Sequence, residues 1–182
     1  MTRPLRKDAL ERRRALLTAA AHVLAEQGLD APLEAIAERA GVGRATLYRN
    51  FPDRLQLALA VLTQEVDDLA ARTLALGPGP DAFFGFLEDL AEVVVRNASF
   101  SVALRSSAPE MLAPVRRTMV EAGAGPLRQA QAAGRVRPDL APADLLLIAN
   151  LLGAGLSGDT VDRRAVAARA RSLVLDGLRT RP

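Results

Sequence analysis

Residues 33–54, LEAIAERAGVGRATLYRNFPDR, constrain this chain more than any other stretch. Leu33, Ile36, Ala37 and Ala40 recur at i, i+3, i+4 and i+7, which gathers them into one apolar stripe on a short helix that Pro32 opens. Gly41 stops that helix in a tight turn. Val42 begins a second apolar series that Leu47 and Phe51 continue, so Arg44, Thr46, Tyr48, Arg49 and Asn50 fall largely on the other faces of a second helix. Two short helices around a glycine turn, the second with cationic and hydrogen-bonding groups outward, follow the plan of a DNA-reading helix-turn-helix.

The charge agrees with that plan. Residues 1–54 hold ten Lys/Arg against seven Asp/Glu, whereas residues 55–182 hold fourteen against fourteen, so the whole net charge of +3 lies with the motif. Arg3, Arg6, Lys7, Arg12, Arg13 and Arg14 form a basic arm. Before Asp8 two readings stand: a segment that follows phosphates or enters a minor groove, or a solvated tail. With no cysteine and one histidine, disulfides, thiolate metal sites and zinc or iron centres are not expected, and no cofactor is called for. The 49% hydrophobic content suffices for a substantial core. The longest uncharged run, residues 145–158, is too short to span a bilayer, so a soluble cytoplasmic protein without membrane contact is expected.

Around the motif, Leu16, Ala20, Val23 and Leu24 mark a helix over residues 8–27 that Gly28 ends, with His22 off the stripe. Asp53 followed by Gln56 is a capping-box variant that starts a fourth helix, with apolar positions Leu55, Leu59, Leu62, Val66 and Leu69, running to Gly77-Pro78-Gly79-Pro80. Beyond it nothing alternates with strand period. Helices are expected near 81–97, 99–107, 109–121, 126–133, 142–156 and 162–179; alternatively, Gly123, Gly125 and Pro126 kink one longer helix. The fold class is all-α, with a DNA-binding domain over 1–54 and a regulatory domain over 55–182.

Phe83, Phe86, Phe100, Met111 and Met119 are adaptable apolar groups that suit a small-molecule cavity, and equally suit an ordinary core. Leu145, Leu146, Leu147, Ile148, Leu151 and Leu152 go round the whole of their helix, and Val166, Ala170, Leu173, Val174 and Leu178 stripe the last one. Gly153, Ala154 and Gly155 would admit another backbone. Leu145, Ile148 and Leu152 with the last helix's stripe are expected to form a homodimer bundle; the alternative is a buried central helix.

The succession IAERAGVGRATLYRNF, Pro52, a capping Asp53 and a basic Arg54 closely resembles the N-terminal domain of the TetR family of bacterial transcriptional regulators, and the terminal LVLDGLR resembles the end of that family's last helix. The resemblance implies that Arg44, Ala45, Thr46 and Asn50 approach base edges while Tyr48 and Arg54 hold phosphates, with Arg49 on the same polar surface. Many members carry His where Asn50 stands and Lys where Arg54 stands, so the contact at Asn50 is open and the charge at Arg54 is kept. The implied function is a ligand-responsive homodimeric repressor that leaves a palindromic double-stranded DNA operator on binding a small apolar molecule; alternatives are a constitutive DNA binder or a helical interaction module. An enzyme is not expected. No Ser-His-acid motif and no glycine-rich phosphate loop after a strand is present.

Overall fold

The computed structural model describes residues 3–154 and 163–180. Among these the chain forms α1 (Arg3–Gln27), α2 (Leu33–Arg39), α3 (Arg44–Asn50), α4 (Arg54–Ala75), α5 (Ala82–Arg96), α6 (Ala98–Ser107), a 3-10 turn at Pro109–Leu112, α7 (Ala113–Ala132), α8 (Asp144–Ala154) and α9 (Arg163–Leu178). No strand occurs among the described residues beyond one antiparallel bridge, Val136 with Arg179. The all-α expectation holds. Gly155 and the expected helix ends at 155, 156 and 162 lie outside the described residues.

The chain divides into two compact units, the first Met1–Gln64 with Ser99–Leu112, the second Glu65–Ala98 with Ala113–Pro182. A division at residue 54 therefore differs from the one observed, for a physical reason. The first half of α4 buries Leu57, Ala58 and Val61 against α1–α3, and α6 adds Phe100 and Leu104 to the same core. Burying Phe100, Leu57, Val61 and Leu104, each worth about 1.5–3 kcal/mol, holds both segments to the first unit. Ser99 fixes the start of α6 further: its Oγ donates at 2.7 Å to the Leu24 carbonyl in the last turn of α1, which also receives the Gly28 amide at 2.9 Å.

The expected stripe of α1 is buried as read, with Leu16, Ala20, Val23 and Leu24 in the core. On α4 the expected Val66 and Leu69 are buried, but the phase of its first half differs. Leu57, Ala58 and Val61 are buried, whereas Leu55, Leu59 and Leu62 are only partly so, because both apolar rows of that half-helix lie against the bundle.

In the second unit α5 is the central helix and packs on α7, α8 and α9. Its buried residues Phe83, Phe86, Leu87, Leu90 and Val93 follow helical spacing. Residues 113–132 make the single longer helix, with Pro126 inside it. The proline withholds one amide from Ala122, and Gly123 has a separate task. A Cβ there would stand 2.5 Å from Leu145 Cδ1 and 2.7 and 2.8 Å from Cε1 and Cζ of Phe86, so only glycine admits this closeness of α7 to α5 and α8.

On α8 the structure separates residues that periodicity could not. Leu145, Ile148 and Leu152 are buried within their own unit, as is Leu178 of α9, while Val166, Ala170 and Val174 are half-buried. Leu147 (57% exposed), Leu151 (52%) and Leu173 (56%) face outward. Those buried four cannot form an intermolecular surface without unpacking the unit, so they leave the list of interface residues. Nor is α8 a buried central helix.

Candidate nucleic-acid interface

The helix-turn-helix is built by short-range rules. At the end of α2 the Gly41 amide donates to Glu38 O and the Val42 amide to Ala37 O, each at 3.0 Å, the paired bonds of a Schellman cap. That cap needs a left-handed residue at its centre. Gly41 supplies φ +66°, a conformation that a residue with a Cβ rarely adopts. Gly43 then accepts from the Thr46 and Leu47 amides at 2.9 and 3.3 Å and starts α3.

Leu47 and Phe51 are buried and hold α3 to the bundle. With those anchors inside, Arg44, Ala45, Tyr48, Arg49 and Asn50 are exposed and Thr46 is half-exposed. The six share one outer surface. Arg49 lies back along its own helix, donating from Nε to Ala45 O at 3.1 Å and from Nη2 to Thr46 Oγ1 at 3.3 Å; Asn50 Nδ2 donates to Thr46 O at 2.8 Å. These neutral restraints fix the heads at small cost, and they exchange readily for a phosphate or a base edge. Arg44 reaches the other way, its Nη1 3.6 Å from Glu34 Oε1 on α2.

Arg54 stands apart from this surface. Its Nη1 donates to Leu29 O at 3.2 Å and lies 3.8 Å from Asp30 Oδ1, so the side chain clamps the α1–α2 loop to the start of α4. Asp53 caps that start as expected, its Oδ1 accepting the Gln56 amide at 2.8 Å. The return arm is different: Gln56 Nε2 donates to Asp53 Oδ2 at 3.0 Å rather than to the backbone. Arg13, from the basic arm, places its guanidinium 4.8 Å from the centroid of Phe51, a cation–π contact at the end of α3. His22 is exposed and lines an open groove of about 520 Å³ with Glu11, Arg14, Thr18 and Arg39.

Sequence reading missed Glu34, Asp30 and the placing of Arg13. An excess of charge near the motif was the only signal for them, and pairing across a turn leaves no periodic trace.

The five residues expected at a ligand cavity fall in both units. Phe100 and Met111 belong to the first, Phe100 deep in its core; Phe83, Phe86 and Met119 belong to the second. Phe83 and Phe86 stack with centroids 6.4 Å apart at 21°, and Phe84 meets Phe83 edge-on at 6.1 Å. Among the described residues no three His, Cys, Asp or Glu side chains are grouped to hold a metal ion, and no helix is long and apolar enough to cross a membrane.

Residues 16–61 match the model of the N-terminal domain of bacterial regulatory proteins of the tetR family, and residues 78–180 match that of the SbtR-like transcriptional regulator C-terminal domain. A TetR transcriptional regulator from Streptomyces coelicolor superposes with a TM-score of 0.72 at 34% identity, over 93% of this chain and 99% of that one. A TetR transcription regulatory protein from Mycobacterium vanbaalenii gives 0.71 at 30% identity, over 97% and 100%. The HTH-type transcriptional activator FasR of Mycolicibacterium smegmatis is 41% identical over 90 residues, which are 43% of this chain and 41% of that protein. The chain thus spans less than half the length of that relative. With a capped two-helix motif, a helical second unit and matches to both domain models, this chain belongs to the TetR family of bacterial regulatory proteins, whose members regulate transcription and are not enzymes.

Proposed function

We propose that this regulator is a ligand-responsive homodimeric repressor of the cytoplasm. One observation carries the proposal: α8 and α9, which pack together, turn Leu147, Leu151 and Leu173 into solvent. A second copy is the occupant of matching chemistry. Two-fold symmetry then implies a palindromic operator, with the two α3 helices about 34 Å apart or a multiple of it. Arg44, Ala45, Thr46 and Asn50 approach base edges, Tyr48 and Arg49 hold phosphates, and Arg54 contributes charge from its place on the α1–α2 loop. A small apolar effector enters the second unit beside Phe83, Phe86 and Met119; Phe100 and Met111, as part of the first unit, leave that set.

A duplex selected from a random pool, and an effector found by thermal-shift screening of apolar compounds, provide the test. Titration calorimetry of the effector with and without the duplex should show its affinity lowered by about 5- to 150-fold, the usual range of coupling between sites. Equal affinities would make the chain a constitutive DNA binder. One observation favours a second reading, an activator: the relative FasR is one. Transcription in vitro from a promoter carrying the selected site decides the sign, falling with the added protein for a repressor and rising for an activator.

A further inference from the structure

We infer that Glu34 is a specificity-determining residue of this regulator, acting through Arg44: its carboxylate holds the guanidinium in its base-reading geometry and withholds it from phosphates. The inference rests on the base-reading role proposed above for Arg44.

Glu34 lies in the first turn of α2 and Arg44 is the first residue of α3, so their 3.6 Å ion pair crosses the turn between the two helices. The Arg44 side chain is 71% exposed and that of Glu34 42%, which leaves both within reach of a ligand that meets α3. The pair does not hold the fold. Exposed ion pairs stabilise little, and the turn is already closed by the Gly41 and Val42 amides and anchored by Leu47. The other arginine of α3, Arg49, has neutral partners among the described residues, Ala45 O and Thr46 Oγ1. An acid set on the base-reading arginine therefore needs a reason other than stability.

DNA supplies one. A free arginine is drawn to phosphates on every sequence alike, since the backbone dominates affinity. The carboxylate of Glu34 offsets that attraction and itself repels phosphates, which lowers affinity for all duplexes. It also draws Nη1 towards α2 by charge attraction at 3.6 Å, and the other edge of the guanidinium, Nε and Nη2, is the fork that matches guanine O6 and N7. One group thus weakens the wrong complexes and orients the donor for the right one, which is how discrimination between similar targets is obtained.

The experiment uses the full chain, duplexes with a randomised central segment, and four proteins: wild type, Glu34→Gln, Arg44→Ala and the double variant. Glu34→Gln keeps the shape of the side chain, and circular dichroism verifies the fold. Relative to wild type it should bind unselected duplex about 3- to 10-fold more tightly, and its preference for the selected site over single-base variants should fall by a similar factor at the position Arg44 reads. The freed guanidinium adds about one phosphate contact, so the slope of log affinity against log salt should steepen by roughly 0.9. In the Arg44→Ala background the same substitution should lose its effect on preference. Wild-type preference and slope retained in Glu34→Gln would overturn the inference while leaving DNA reading by Arg44 intact. So would an undiminished effect in the double variant. If the wild type enriches no sequence, the base-reading role of Arg44 falls, and this inference with it.

Discussion

The two units face one problem, a helix that cannot bury its whole surface, and meet it with opposite chemistry. In the first, α3 hides Leu47 and presents arginine, tyrosine and asparagine, two of whose heads rest on backbone carbonyls of the same helix. In the second, α8 hides Leu145, Ile148 and Leu152 and still presents Leu147 and Leu151. Hydrated polar heads cost little to expose and meet a charged, hydrogen-bonding partner. Exposed leucines are unfavourable until covered, and each of these, already about half-buried, gives back about 1 kcal/mol when it is. Under the proposed function the contrast allots a kind of partner to each unit, DNA to α3 and a second copy to α8 and α9.

The contrast depends first on the anchoring of α3. Leu47→Ala empties a fully buried site and should cost about 2–5 kcal/mol in denaturant unfolding, with loss of duplex binding as the reader loosens. A cost under 1 kcal/mol would mean that α3 is held by something other than this side chain. Next comes the filling of the second unit. Gly123→Ala forces a methyl between Phe86 and Leu145 and should cost about 1–3 kcal/mol in the same measurement. A neutral or stabilising result would reveal free volume beside Phe86 and sharpen the case for an effector there. The smallest effect concerns the cap that links reader and α4. Asp53→Ala removes an acceptor for the Gln56 amide and should cost about 1 kcal/mol, seen as a lowered melting temperature with duplex preference unchanged. Altered preference would show that the cap also sets the pose of α3.

The reader was legible in the sequence because its rules are local. Gly41 marks the left-handed turn, Leu33, Ile36 and Ala37 at helical spacing give α2 its buried face, and Asp53 with Gln56 announces α4. What was not legible depends on distance. Arg54 turning to Leu29 and Asp30, or Phe100 and Leu104 joining the core of α1–α3, are choices made between segments far apart in the chain. A third kind of failure belongs to α8. A helix apolar all round has no phase, so its spacing cannot say which leucines turn inward; only packing against α5, α7 and α9 separates Ile148 from Leu147. The proline of α7 was ambiguous for a related reason, since a break and a tolerated interior position look alike until the neighbours are known.

The most direct test of this account places charge on the outward leucines alone. In the Leu147→Glu, Leu151→Glu double variant the two carboxylates stay in water in a single chain, so helical circular dichroism should be unchanged. Light scattering should then report a dimer for the wild type and a folded monomer for the variant, and affinity for the palindromic duplex should fall by at least about 100-fold as one reader loses the help of the other. A variant that remains a dimer and binds the duplex as the wild type does would contradict the assignment of this face to self-association.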